Sequence, residues 1–104
     1  MEIIITGKDF QLTPSLKKYV EEHAQKLLHF ESLLEKVKFE LDVDKHHHKG
    51  ENFRVEAWAY VKGDVLAAGD RAEDMRTAIT KVVHTLSREL EKRKEKLLDR
   101  RRGS

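Results

Sequence analysis

Residues 70–102 read DRAEDMRTAITKVVHTLSRELEKRKEKLLDRRR, and their pattern decides the fold. Met75, Ala78, Ile79, Val82, Leu86, Leu90 and Leu97 recur at helical steps, so in an α-helix they share one apolar stripe. Asp70 is placed to cap the first turn, with Glu73 three positions on completing a capping box. No Gly or Pro intervenes until Gly103. At 1.5 Å per residue the helix runs roughly 40 Å. A chain of 104 residues supports one domain with a modest core, so the far end of this helix is expected to project.

The faces left over by the stripe carry cations. At 100° per residue Lys81, Arg88 and Lys92 fall within about 40° of each other, with Thr85 among them and Lys96 beside them. His84 lies next to this ladder. From position 92 to 102 there are seven basic and two acidic residues. A long helix with cations on its free side can follow a polyanion. The plainer interpretation is a solvated face laced by intrahelical pairs such as Glu91 with Lys94, and the charges alone weigh the two equally. The formal net charge of +2 conceals an asymmetry. Residues 1–70 hold 10 Lys+Arg against 13 Asp+Glu, a net of −3, and residues 71–102 hold 11 against 6, a net of +5.

Upstream, residues 2–6 form a β-rich opening strand and 7–12 a short connection. Thr13 followed by Pro14 marks a helix start, with Thr13 as N-cap and Pro14 in the first turn. Leu16, Val20, His23 or Ala24, and Leu27 then share a face, Tyr19, Lys26 and Phe30 lie along one flank, and the helix is expected to end near residues 28–30. Residues 37–44 alternate, with Val37, Phe39, Leu41 and Val43 on one side and Lys38, Glu40, Asp42 and Asp44 on the other. A polar loop, KHHHKGEN (45–52), leads to a second alternating strand over 53–61. Lys62, Gly63 and Asp64 signal a tight hairpin. A short fourth strand, 65–69, runs into the long helix.

The order is β-α-β-β-β-α, an α+β fold. Short loops make the last three strands an antiparallel meander, and the first strand is expected beside the second. Two amphipathic helices and one apolar sheet face are buried most simply with both helices on the same side.

Specific chemistries are mostly excluded. With no cysteine there is no disulfide, thiolate metal site or Cys nucleophile, which fits a reducing compartment. The opening MEIIITGKDF has neither a basic leader nor a long apolar run, and no window reaches the roughly 20 apolar residues of a membrane helix. His46, His47 and His48 are adjacent, so on an extended chain they point to alternate sides and make a poor metal site. As a polar loop they gain charge below about pH 6.5. Trp58 and Tyr60 fall on the wet sheet face with Arg54, Glu56 and Lys62. Aromatics there can stack on bases, but Glu40, Asp42 and Glu56 repel a phosphate backbone, which favours cross-strand shielding. No nucleophile elbow, glycine-rich phosphate loop or acid–base pair is present.

Three stretches carry a resemblance: ITGKDFQLTPSLKKYVEEHAQKL (5–27), AAGDRAEDMRTAI (67–79) and LSRELEKRKEK (86–96). With Glu73-Asp74-Met75 before Ala78-Ile79, and the later spacing of Arg88, Leu90, Lys92 and Lys94, the chain resembles the ribosome hibernation-promoting factor family across residues 2–96. That family is also called ribosome-associated inhibitor or sigma-54 modulation protein. The resemblance implies a four-stranded sheet with two helices packed on one face, similar to a double-stranded RNA-binding domain. It implies no enzyme activity, no cofactor, no small-molecule substrate and no membrane, in a cytoplasmic protein. The implied partners are the small ribosomal subunit with its rRNA, and idle whole ribosomes. The implied action is to occupy the decoding channel, block mRNA and tRNA, and stop translation under stress or in stationary phase.

Carried onto this sequence, the rRNA-facing set is Lys26, Lys81, Arg88, Lys92 and Lys96, with Lys18 and His29 as further positions on the first helix and Arg76 and His84 beside the ladder. Departures are Arg76 where the family usually has Tyr, Thr85 where Lys is common, and Glu89 where Gln is common. Residues 1–98 form the expected ribosome-binding domain and 99–104 a basic tail or a truncated linker, as in a short-form member or the first domain of a longer one. The alternative is a general double-stranded RNA-binding module using the same helix on A-form RNA.

Overall fold

The computed structural model describes residues 1–44, 50 and 52–103, with side chains described through Asp99. The histidine run at 46–48 lies outside the described residues. In chain order the elements are β1 (Glu2–Lys8), α1 (Pro14–Ala24), a 3-10 turn (Gln25–Phe30), β2 (Leu34–Val43), β3 (Phe53–Val61), β4 (Asp64–Ala72) and α2 (Met75–Gly103).

The strands form one sheet in the order β1-β2-β3-β4. β1 lies parallel to β2, with Ile3 opposite Val37 and Ile5 opposite Phe39. That pairing requires a crossover, and α1 supplies it. β2–β3 and β3–β4 are antiparallel hairpins. Gly63, at φ 78°, takes the left-handed turn position between β3 and β4 that most side chains resist.

The period of two fills one sheet face with Val37, Phe39, Leu41, Val55, Ala57, Ala59 and Val61, all buried. Val20, Ala24, Leu27 and Phe30 from the first helical segment, and Ala78, Ile79, Val82, Val83, Leu86 and Leu90 from α2, complete the same core. No polar or charged side chain is buried among the described residues. The molecule measures 54 × 25 × 19 Å, the long dimension being that expected of a 29-residue helix of about 43 Å overhanging a small sheet.

Several local expectations change. The long helix starts at Met75, and its cap is Asp74, whose carboxylate accepts the Thr77 N–H and the Thr77 hydroxyl, both at 2.8 Å. Asp70 belongs to β4, opposite Val55, and accepts the Arg71 N–H at 2.8 Å. β4 therefore runs to Ala72, and pairing with β3 overrides the capping box at 70–73. α1 ends at Ala24 and tightens into the 3-10 turn, which brings Leu27 and Phe30, three residues apart, onto one buried face. Leu97 is 36% exposed, because the stripe outruns the sheet, while Val83 joins the core. Thr13 caps α1 as expected, accepting the Leu16 N–H at 3.2 Å.

The opposite sheet face is closed by its own cross-strand pairs. The ammonium of Lys36 sits 4.5 Å from the Tyr60 ring centre and that of Lys38 sits 5.8 Å from Trp58. Arg54 bridges Asp42 at 3.5 Å and Glu56 at 3.3 Å. Trp58 and Tyr60 are accordingly half-buried, and the face carries mixed charge.

Candidate nucleic-acid interface

Because α2 buries one stripe, its remaining faces point to solvent, and Lys81, His84, Arg88, Lys92 and Lys96 are all exposed. Lys81 reaches back to the sheet, donating to the β4 carbonyl of Arg71 at 3.1 Å, whereas His84, Arg88, Lys92 and Lys96 make no described contact with it. The intrahelical pair foreseen for Glu91 is not found among the described residues. Instead Lys92 meets Glu89 at 3.5 Å, with both side chains largely solvated, so the pair offsets little of the charge. Thr85 turns its hydroxyl back to the Lys81 carbonyl at 3.1 Å. The ladder thus has a gap at Thr85 and an acidic neighbour at Glu89, but its cations remain on one continuous flank.

Toward the start of α2 the ladder meets α1. Arg76 donates to the Ser15 hydroxyl at 3.0 Å and lies 5.2 Å over the Tyr19 ring. The Tyr19 and Thr80 hydroxyls are 3.2 Å apart, and Thr80 donates to the Arg76 carbonyl at 2.9 Å. Since Thr80 has one proton, Tyr19 is the donor between them. His23 also packs on Tyr19, with ring centres 4.0 Å apart. Pairing Ser15 with Arg76 and Tyr19 with Thr80 runs the two helices side by side in the same direction.

Between them lies a groove of about 610 Å³, lined by Tyr19, Lys26, Arg76, Thr77, Thr80, Lys81, His84 and Ser87. Of the residues singled out in the sequence, Lys26, Arg76, Lys81 and His84 come together here. Arg88, Lys92 and Lys96 continue the cationic flank along the overhang. Lys18 and His29 do not line the groove. Lys18 pairs with Glu22 at 4.0 Å, and His29 packs edge-on against Phe30 with ring centres 5.0 Å apart. Tyr19, Thr77, Thr80 and Ser87 were not picked out as site residues. The hydroxyls at 77, 80 and 87, with His84, follow helical spacing and were a legible polar stripe. The contribution of Tyr19 depends on contacts across about sixty residues and had no local signal.

Two cations of the groove, Lys81 and Arg76, donate to neutral oxygens, the first to the Arg71 carbonyl and the second to a serine hydroxyl. Asp74 lies just outside. The Thr77 backbone N–H, then the Thr77 hydroxyl, and to a smaller degree Arg76 hold its carboxyl below the usual carboxylate value. At the far end of the sheet Asp64 is likewise lowered, first by the Val65 N–H and then by Arg93, which it meets at 2.7 Å. No group of three or more His, Cys, Asp or Glu among the described residues is placed to hold a metal ion, and no described helix is long and apolar enough to cross a membrane.

Residues 3–98 match the family described as "Sigma 54 modulation protein / S30EA ribosomal protein". The ribosome hibernation promoting factor of Azotobacter vinelandii is 32% identical over 103 residues, covering 99% of this chain and 92% of that protein. The ribosome hibernation promotion factor of a Picosynechococcus species is 30% identical over 97 residues, covering 92% of this chain but 50% of that longer protein. A solved structure of a ribosomal subunit interface protein from Coxiella burnetii superposes with a TM-score of 0.80 at 20% identity, covering 91% of this chain and 99% of that one. The last of these establishes the fold.

Proposed function

The chain belongs to the Sigma 54 modulation protein / S30EA ribosomal protein family, and from that premise we propose that it is a ribosome hibernation factor acting through its cationic helix flank. It binds the small ribosomal subunit at the decoding channel, excludes mRNA and tRNA, and holds idle ribosomes inactive under stress or in stationary phase. It works in the cytoplasm as a steric plug, not as an enzyme. Residues 1–98 act as the ribosome-binding domain.

The single observation that supports this most is the exposure of Lys81, Arg88, Lys92 and Lys96 along α2, away from its buried stripe. Cations in such a row meet successive phosphates and release condensed counterions. Contacts of this kind position a protein without reading sequence, so the choice of site falls to the shape of the channel. Lys26 and Arg76 extend the same surface, and Lys18 and His29 are peripheral to it.

The test is cell-free translation with the wild type and a Lys81→Ala/Arg88→Ala/Lys92→Ala variant whose circular dichroism is unchanged. The variant is expected to need at least about tenfold more protein for half-inhibition, because three phosphate-facing charges are gone. Equal inhibition rejects the role of the ladder. Competition by a plain RNA duplex, if as effective as purified small subunits, would point instead to a general double-stranded RNA-binding module.

A further inference from the structure

The groove between α1 and α2 differs chemically from the cleft on the open sheet face. Four of its eight lining residues are basic, Lys26, Arg76, Lys81 and His84, and none is acidic. The cleft on the open sheet face, by contrast, mixes Arg54 and Arg71 with Glu56 and Asp70. The groove volume of about 610 Å³ sits within the roughly 300–1,000 Å³ usual for small-ligand clefts. A duplex backbone touching a convex helix flank needs no such recess.

We propose that this groove receives one nucleotide of RNA turned out of its stack, so that the protein recognises a bulged or looped nucleotide as well as a run of phosphates. The Arg76 guanidinium, backed by the Tyr19 ring that His23 also covers, supplies a cationic plane against which a base can stack. The Ser87 hydroxyl and the His84 ring offer hydrogen-bonding groups to the base edge or ribose, and the Thr77 and Thr80 hydroxyls, whose protons are held by Asp74 and the Arg76 carbonyl, offer acceptor lone pairs only. Lys26 from the first helical segment and Lys81 from α2 meet the flanking phosphates. Arg76 and Lys81 are fixed in place by neutral oxygens, the Ser15 hydroxyl and the Arg71 carbonyl, and the Asp74 carboxylate just outside the groove offsets part of the Arg76 charge. The proposal rests on the RNA-binding reading above and adds a feature that the ladder alone does not provide.

The experiment measures binding of two labelled RNA hairpins at fixed salt, one fully paired and one carrying a single bulged adenosine in the same stem. The wild type is expected to favour the bulged RNA by about tenfold, in line with the stacking of one base. Arg76→Met and Lys26→Gln, each checked for unchanged circular dichroism, are expected to bring that ratio close to one. An Arg88→Gln/Lys92→Gln variant is expected to weaken both RNAs and keep the ratio. Equal affinity of the wild type for the two hairpins, or a ratio preserved in both groove variants, overturns the proposal while leaving the ladder intact. Failure to bind either hairpin also overturns it, and co-sedimentation with small subunits in the same buffer then shows whether the underlying RNA reading falls too. Displacement of the bulged RNA by micromolar adenosine monophosphate would assign the groove to a free nucleotide and overturn the RNA source.

Discussion

Asp74 shows how a single side chain fixes a boundary. Local pattern places the helix start at Asp70, where Glu73 completes a capping box, but the cap is Asp74, four residues on. The backbone of Asp70 is instead engaged in β4, opposite Val55, a pairing between residues fifteen apart that no local rule registers. Replacing Asp74 by Ala removes two hydrogen bonds from the first turn of α2 and is expected to lower the melting temperature, whereas Asn, an equally good cap, retains most of it. A thermal melt of the three proteins checks this.

The same carboxyl, with that of Asp64, sets an acid dependence. Both groups titrate lower in the folded protein than in the unfolded chain. Their contribution to stability is therefore complete above the unfolded value of about 3.9 and is lost as pH falls through the folded values. An Asp64→Asn/Asp74→Asn variant is expected to lose less stability between neutral pH and pH 3 than the wild type. Denaturant titrations at both pH values would show parallel losses if these carboxyls were irrelevant.

Among the elements, α2 is the most informative. Its periodicity was fully legible, as was the alternation of β2 and β3, because amphipathic patterning reports burial directly. What the pattern could not report was where the sheet stops beneath the helix. Leu90 and Leu97 occupy the same stripe, yet Leu90 is fully buried and Leu97 is 36% exposed. Leu90→Ala is expected to cost about 2–5 kcal/mol, and Leu97→Ala within about 0.5 kcal/mol, as measured by chemical denaturation. Similar destabilisation at both positions would mean that the overhang is packed against something.

The first helical segment gave the opposite lesson. Its start was plain from Thr13 and Pro14, but its tightening after Ala24 answers to the need to bury both Leu27 and Phe30 in the core shared with α2. The groove was only half legible. Its cations were visible as a row on α2, whereas its aromatic wall forms only when α1 is laid beside α2.

Across the molecule, charge and packing are separated. No polar or charged residue is fully buried among the described residues, and the open sheet face matches Lys36, Lys38 and Arg54 with a ring or a carboxylate. Lys81, Arg88, Lys92 and Lys96 lie exposed along one side of α2, within a segment, residues 71–102, of net +5 against a net −3 in residues 1–70. That separation steers one side of the protein toward a polyanion and keeps the other side away from it. It also makes an overall charge of only +2 compatible with the proposed RNA binding.

The most direct measurement is the salt dependence of binding to purified small ribosomal subunits, for the wild type and for the Lys81→Ala/Arg88→Ala/Lys92→Ala variant. The wild type is expected to weaken steeply with salt, and the slope of log affinity against log salt concentration is expected to shrink by about 2 to 3 in the variant, one counterion for each phosphate no longer neutralised. Identical slopes for the two proteins would contradict a plug held by this flank of α2.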